Sequence, residues 1–259
     1  DVVFGGGGYV AGPMVYAAWR KHIPAALAEA DAHLGLANRV AAPFARRVFL
    51  AYPVAGRTGA RYRVVGRPVP ERERVAPHEA GRRFGLPAVG QVLLVFGGSQ
   101  GAAAVNEIAL GGFGSEGPAV LHLCGERYLA GLSGRVSRPD YRLLGWTDDF
   151  GAALDACDLV LARAGGSVWE VAAAGKPAVL VPSPNVTADH QTKNARYFEQ
   201  EGGAVVVPEP AIARVPAIAR DLLGDDARLT EMGKAMRRAS RPGAAEQIAE
   251  ELIALARDS

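Results

Sequence analysis

The sequence has only two cysteines, Cys124 and Cys157, each inside an apolar run and neither at metal-ligand spacing. A disulfide framework is therefore excluded, and buried thiols in a reducing compartment are expected. Long hydrophobic runs are missing: none approaches the ~18 apolar residues of a membrane span, so membrane contact is expected to be peripheral. Charge of one sign is also missing. The 29 Lys and Arg residues against 27 Asp and Glu leave a net +2, which argues against nucleic acid as a partner. Short basic clusters at Arg20-Lys21-His22, Arg46-Arg47 and Arg72–Arg74 read as solvated surface. The chain lacks a G-x-S-x-G elbow, a Walker loop, a G-x-G-x-x-G fingerprint, a metal-spaced His/Cys cluster and a glycosidase-like carboxylate pair. No metal and no cofactor is expected.

Glycine, by contrast, is concentrated in two turns of one physical kind. Gly5-Gly6-Gly7-Gly8-Tyr9 follows Val2-Val3-Phe4, and Gly97-Gly98-Ser99-Gln100-Gly101 follows Val92–Phe96. Each reads as a buried strand, a tight turn and a helix start, which leaves backbone N–H groups and a positive helix end free for an anion. Two such turns suggest two phosphate-bearing ligands, or two halves of one site, and so a transferase.

The strand–turn–helix pattern repeats, which predicts an α/β protein with parallel sheets. Strands are expected at 23–27, 47–50, 62–65, 92–96, 120–124, 142–144, 159–162, 178–181 and 204–207. Helices are expected at 13–19, 36–44, 102–110, 150–156, 167–174, 191–201, 211–223, 229–239 and 244–256. Pro68, Pro70 and the polar stretch Glu71–Arg74 mark a boundary, giving two Rossmann-like units. Asp1 starts the chain inside what reads as a buried strand, so the first unit is expected to be incomplete.

Two further polar clusters lie where ligands of open α/β sheets bind, beyond the carboxyl ends of strands. In Arg163-Ala164-Gly165-Gly166-Ser167-Val168-Trp169-Glu170, the glycines and helix end suit a diphosphate, and Glu170 could accept from ribose hydroxyls or simply offset the helix dipole. The run Thr187–Asn194 suits a hydroxyl-rich ligand such as a sugar, although Asp189 could equally be an N-cap and Asn194 a surface residue.

Taken in order, GGGGYVAGP from Gly5, GLANR from Gly35, FGGSQGA from Phe96, RAGGSVWE from Arg163, GKPAVLVP from Gly175 and DHQTKNA from Asp189 resemble the MurG-type glycosyltransferases over essentially the whole chain. The resemblance implies a GT-B fold: two Rossmann-like domains facing across a cleft. Residues 1–70 would be the remainder of an acceptor domain, 71–243 the UDP-sugar domain, and 244–259 a helix crossing back to the first domain. It implies inverting transfer of N-acetylglucosamine from UDP-N-acetylglucosamine to undecaprenyl-pyrophosphoryl-N-acetylmuramoyl-pentapeptide (lipid I), at the cytoplasmic face of the bacterial membrane. On the donor side it implies Gly98, Ser99, Gln100, Asn106, Thr147, Arg163, Gly165, Gly166, Glu170, Gln191 and Asn194. On the acceptor side it implies Gly7, Gly8, Tyr9, Glu29 and Asn38, with Met14, Val15, Trp19, Arg20 and Lys21 as a membrane-facing patch.

The chain departs from the family pattern in places. The first glycine loop, with its candidate base histidine, has no counterpart; Glu29 is the remaining acceptor-side carboxylate that matches. His-Glu-Gln-Asn reads Ala28-Glu29-Ala30-Asp31, and Gly-Asn-Pro-Val-Arg reads Gly66-Arg67-Pro68-Val69-Pro70, so Arg67 or Arg72 would have to supply the lost charge. The Arg163–Glu170 segment is one residue shorter than the common pattern. Another UDP-sugar enzyme of the same fold, a UDP-N-acetylglucosamine 2-epimerase included, and a donor-binding fragment without activity are the alternatives.

Overall fold

A computed structural model describes residues 1–257. The strands are β1 (Val3–Gly5), β2 (Ala25–Glu29), β3 (Arg47–Leu50), β4 (Tyr62–Val64), β5 (Val92–Phe96), β6 (Ala119–Leu123), β7 (Tyr141–Leu144), β8 (Leu159–Ala162), β9 (Ala178–Leu180) and β10 (Ala204–Val206). The helices are α1 (Gly8–Arg20), α2 (Leu36–Ala41), α3 (Pro77–Arg83), α4 (Ala103–Phe113), α5 (Glu126–Leu132), α6 (Phe150–Ala156), α7 (Val168–Ala174), α8 (His190–Gln200), α9 (Val215–Leu223), α10 (Asp226–Ala239) and α11 (Ala244–Arg257).

The strands form two parallel sheets, a four-stranded one ordered β1-β2-β3-β4 and a six-stranded one ordered β10-β9-β8-β5-β6-β7. Renumbered within its own half, the second order is that of a dinucleotide-binding sheet, with its topological switch between β5 and β8. Those two strands pair in register, Phe96 opposite Ala162, so the turns that follow them open side by side.

Alternation builds the core. Leu94 and Phe96 of β5 face one layer with Trp169 and Phe198, while Leu93 and Val95 face another with Val105, Phe113 and Leu222. A parallel strand covered on both faces needs apolar residues at every position, which is why 92–96 reads as an unbroken apolar run.

Several expectations need correcting. Helix α1 begins at Gly8 and runs through Pro13, which was expected to open it. The bond Pro13 cannot donate belongs to the carbonyl of Tyr9, in the exposed first turn where water can replace it. Among the described residues β1 stands at the end of its sheet, with Phe4 44% exposed. Val15 is fully buried, so it belongs to the core rather than to a surface patch. Helices α3 and α5, which the periodic reading omits, are short and owe their form to their surroundings: α3 has Pro77 at its start and buries Ala80 against the core.

Helix α11 returns to the first sheet. Its Ile248 and Leu255 pack with Ala26, Phe49 and Val65, and Glu251 accepts from Arg47 (2.7 Å) and Arg63 (3.2 Å). On the other side of the seam Tyr52, which follows β3, meets Trp169 of α7 and Tyr197 of α8 at centroid distances of 5.0 and 5.2 Å.

Candidate functional site

A cleft of about 580 Å³ opens at the switch point. Its walls are Phe96, Gly97, Gly98 and Ser99 after β5; Trp146, Thr147, Asp148 and Phe150 after β7; Arg163, Gly165, Gly166, Ser167 and Glu170 after β8; Gln191 of α8; and Arg67 from the segment joining the sheets.

The β5 turn is shaped by backbone needs. Gly101 has φ 68°, and a Cβ there would lie 2.0 Å from the carbonyl oxygen of Cys124. Only glycine lets the turn pack against the end of β6 in this way. The eleven-residue helix α4 follows this turn, and among the described residues no side chain caps its first N–H groups.

Glu170 and Asp148 are the acidic groups of the cleft, and Glu170 is the one at the β8 turn. Burial raises its pKa above the usual carboxylate range, and the positive charges of Arg67 and Arg72 oppose that shift. The two arginines differ. Arg72 forms a bidentate pair with Asp155 (2.6 and 2.9 Å), which holds that carboxyl below its ordinary range despite burial. Arg67 has no hydrogen bond or ion pair among the described residues, and a Cβ on Gly166 would lie 2.0 Å from its Nη1. Arg67 is thus the unpaired cation laid over the β8 turn, and Arg72 a structural partner of α6.

The expected donor-side residues divide. Gly98, Ser99, Thr147, Gly165, Gly166, Glu170 and Gln191 line the cleft. Gln191 accepts from the Ser183 N–H through Oε1 (2.9 Å), and its NH₂ end has no partner among the described residues. Arg163 lines the cleft, but its guanidinium donates to the carbonyls of Val181 (3.1 Å) and Pro182 (3.2 Å) and pairs with Glu209, so its charge is already matched. Gln100 sits exposed on the turn, outside the lining.

Asn106 and Asn194 are buried elsewhere. Asn106 donates to the Cys124 carbonyl (3.0 Å) and meets Nε2 of His122 (3.0 Å), whose Nδ1 meets the Tyr141 hydroxyl (2.8 Å). Burial pushes the His122 pKa down to about 4, which keeps this network neutral. Asn194 uses its whole amide on protein partners.

On the acceptor side, Gly7, Gly8 and Tyr9 lie outside the cleft, and Tyr9 is 88% exposed. Glu29 is buried, and its oxygens accept from the N–H groups of Asp31 (3.3 Å) and Gly35 (2.9 Å) and from Asn38 Nδ2 (2.9 Å). A carboxylate saturated in this way organises a loop and is not poised as a base; Asn38, likewise buried, is its partner. The cleft also recruits Phe96 and Ser167, which lie inside the motifs but had no role assigned, and Leu123, Trp146, Asp148 and Phe150, which lie outside them. Trp146, 49% exposed just beyond the end of β7, carried the one usable signal: an aromatic placed beyond a strand's carboxyl end.

Residues 92–248 match the Glycosyltransferase family 28 C-terminal domain, and residues 1–50 match its N-terminal domain. The chain belongs to glycosyltransferase family 28. Among family 28 relatives, the UDP-N-acetylglucosamine–N-acetylmuramyl-(pentapeptide) pyrophosphoryl-undecaprenol N-acetylglucosamine transferase of Salinibacter ruber is 43% identical, over 99% of this chain and 72% of that protein. The same-named enzyme of Halorhodospira halophila is 41% identical over 96% and 71%. The crystal structure of Acinetobacter baumannii MurG superposes with a TM-score of 0.80 at 27% identity, covering 97% of this chain and 74% of that one. The two-sheet arrangement is accordingly the GT-B fold.

The β5 turn yields a direct test. Gly98 (φ 86°) has open space where a Cβ would go, whereas Gly101 has the Cys124 carbonyl. Gly98→Ala should cost only the left-handed strain of about 1–2 kcal/mol. Gly101→Ala should cost that and the clash as well, giving the lower urea midpoint. Equal midpoints would mean that the turn does not need the close approach to β6.

Proposed function

We propose that this protein transfers N-acetylglucosamine from UDP-N-acetylglucosamine to lipid I, forming lipid II. The observation that carries the reading is the 43% identity, over 99% of the chain, to an enzyme named for that transfer. The acceptor hydroxyl oxygen bonds to the anomeric carbon with inversion, the bond from that carbon to the diphosphate breaks, UDP leaves, and a base takes the hydroxyl proton. Glu170 accepts from the ribose hydroxyls, a role its burial and exposure to the cleft favour. The β5 turn and the start of α4 meet the diphosphate, where uncapped N–H groups and the helix dipole stabilise leaving-group charge. Arg67 adds the unpaired cation in place of the matched Arg163, and Gln191 turns its free NH₂ to the sugar. In this reading residues 1–70 form the acceptor half, 71–243 the donor half, and the last segment, described through Arg257, the strap between them.

The acceptor half carries the membrane contact, on the cytoplasmic side. An apolar groove of about 720 Å³ is lined by Tyr9, Pro13, Tyr16, Leu36, Val40 and Phe44. Beside it lies a basic hollow lined by Trp19, Arg20, Arg46 and Arg61; Phe44 lines both, with its ring 5.0 Å from that of Trp19. Interfacial aromatics next to basic residues favour an anionic bilayer surface.

Incubation with radiolabelled UDP-N-acetylglucosamine and a lipid I analogue should add one N-acetylhexosamine to the acceptor, with one UDP released per transfer. In Glu170→Ala the donor kcat/KM should fall roughly 10- to 150-fold, the equivalent of about 1.5–3 kcal/mol for hydrogen bonds to a buried charge. Sugar turnover without acceptor, as an epimerase would give, would overturn the reading. Trp19→Ala with Arg20→Glu should cut partitioning onto anionic vesicles by about tenfold or more, since each basic residue near such a surface contributes about 1 kcal/mol. Equal partitioning would remove this face from the membrane.

A further inference from the structure

Asn194 lies on α8 three residues beyond Gln191, so the helix that lines the cleft also carries a fully buried amide. Every polar atom of that amide is engaged. Nδ2 donates to the Ala164 carbonyl (3.3 Å), one residue before the Gly165-Gly166 turn, and across the seam to Asp31 Oδ1 (3.0 Å). Oδ1 accepts from the Ala32 N–H (2.8 Å), also across the seam.

The bonding continues into the first half. Asp31 N–H donates to Glu29, and the other oxygen of Glu29 accepts from Asn38 Nδ2, which also donates to the Ala28 carbonyl (3.0 Å). The first glycine turn lies beside this last pair, where a Cβ on Gly7 would come within van der Waals range of the Ala28 oxygen (3.5 Å) and Asn38 Nδ2 (3.7 Å). A polar relay thus runs from the Ala28–Asn38 pair, next to the turn at Gly7, to the Ala164 carbonyl, next to the turn at Gly165.

The other contacts of the seam are of different kinds. Arg241 donates to the Val64 carbonyl (3.1 Å), an exposed bond that joins the lead-in of α11 to β4. The Tyr52–Trp169–Tyr197 contact is aromatic packing, which favours association but is not directional in the way a hydrogen bond is. The pairs of Glu251 are partly exposed and tie α11 to the first sheet, not the cleft to it. A buried, fully satisfied amide fixes both distance and orientation, because any displacement leaves desolvated donors and acceptors unpaired.

We propose that Asn194 is a positioning residue that sets the separation of the two glycine turns through the relay Asn194–Asp31–Glu29–Asn38, so that the acceptor is delivered at reacting distance from the donor. The proposal rests on the transfer reading above for its kinetic consequence, but not for its geometric one.

Spin labels placed by Arg39→Cys in α2 and Asp221→Cys in α9 report the separation of the halves; the native thiols are buried and leave the labelling selective. The parent should give one narrow distance distribution. Asn194→Ala should broaden it, leave UDP affinity within about threefold, and lower kcat about 10- to 100-fold, the scale of ångström-level misplacement. Asn194→Asp, which sets a carboxylate against Asp31 and the Ala164 carbonyl, should broaden it as well. Combining it with Asp31→Asn restores a donor opposite an acceptor and should recover the narrow distribution and part of kcat, which a general loss of folding would not allow. An unchanged distribution in Asn194→Ala, or no recovery in the double variant, would overturn the proposal. Failure of the parent to bind UDP would instead strike the transfer reading and leave the distance test standing.

Discussion

The structure depends on the strand order of the six-stranded sheet. Because β5 and β8 are neighbours while their connections leave toward opposite edges, the loops after them diverge and a crevice must open at their carboxyl ends. The residues that need that crevice converge there: the β5 turn, the β8 turn with Glu170, and Arg67 from the joining segment. No single motif makes the site; the topology brings together stretches that are far apart in sequence.

A second constraint is that the crevice is only half of what a transferase needs. The first sheet must be held against it at a defined distance, and three kinds of contact share that task. Aromatic packing around Tyr52 supplies cohesion, Glu251 of α11 ties the strap to β3 and β4, and Asn194 supplies direction. Chain connectivity passes through the Gly66–Arg67 segment, where φ at Gly66 is 87° and a Cβ would lie 2.8 Å from Cβ of Arg241. This joining segment is therefore packed closely against the residues that lead into α11.

Much of the fold was legible in the sequence, for an identifiable reason. Parallel strands buried on both faces, such as 92–96 and 159–162, must be apolar throughout, and the glycine turns after them require glycine for backbone reasons. Two short helices were not legible, because 77–83 and 126–132 lack a periodic stripe long enough to read. The site was legible only in part. Gln191 and Asn194 look alike in sequence, an amide at a loop–helix junction, yet one keeps its NH₂ end for the cleft and the other spends its whole amide on Asp31, Ala32 and Ala164. Asn106 is consumed by His122 and Cys124, Glu29 by its own loop, and Arg163 by Glu209. Sequence gives the residue type; whether a polar group is free depends on partners that only the fold supplies. Arg67 shows the converse: between two arginines of equal promise, the absence of a carboxylate partner marks the one left for a ligand.

Amide hydrogen exchange with and without UDP tests the central claim, that the nucleotide lies at the β5–β8 switch point, most directly. The account predicts new protection in the segments 97–103, 146–148 and 165–170, and no change around His122 and Asn106. Protection confined to the 69–75 segment beside Arg72, or none in the two turns, would contradict it.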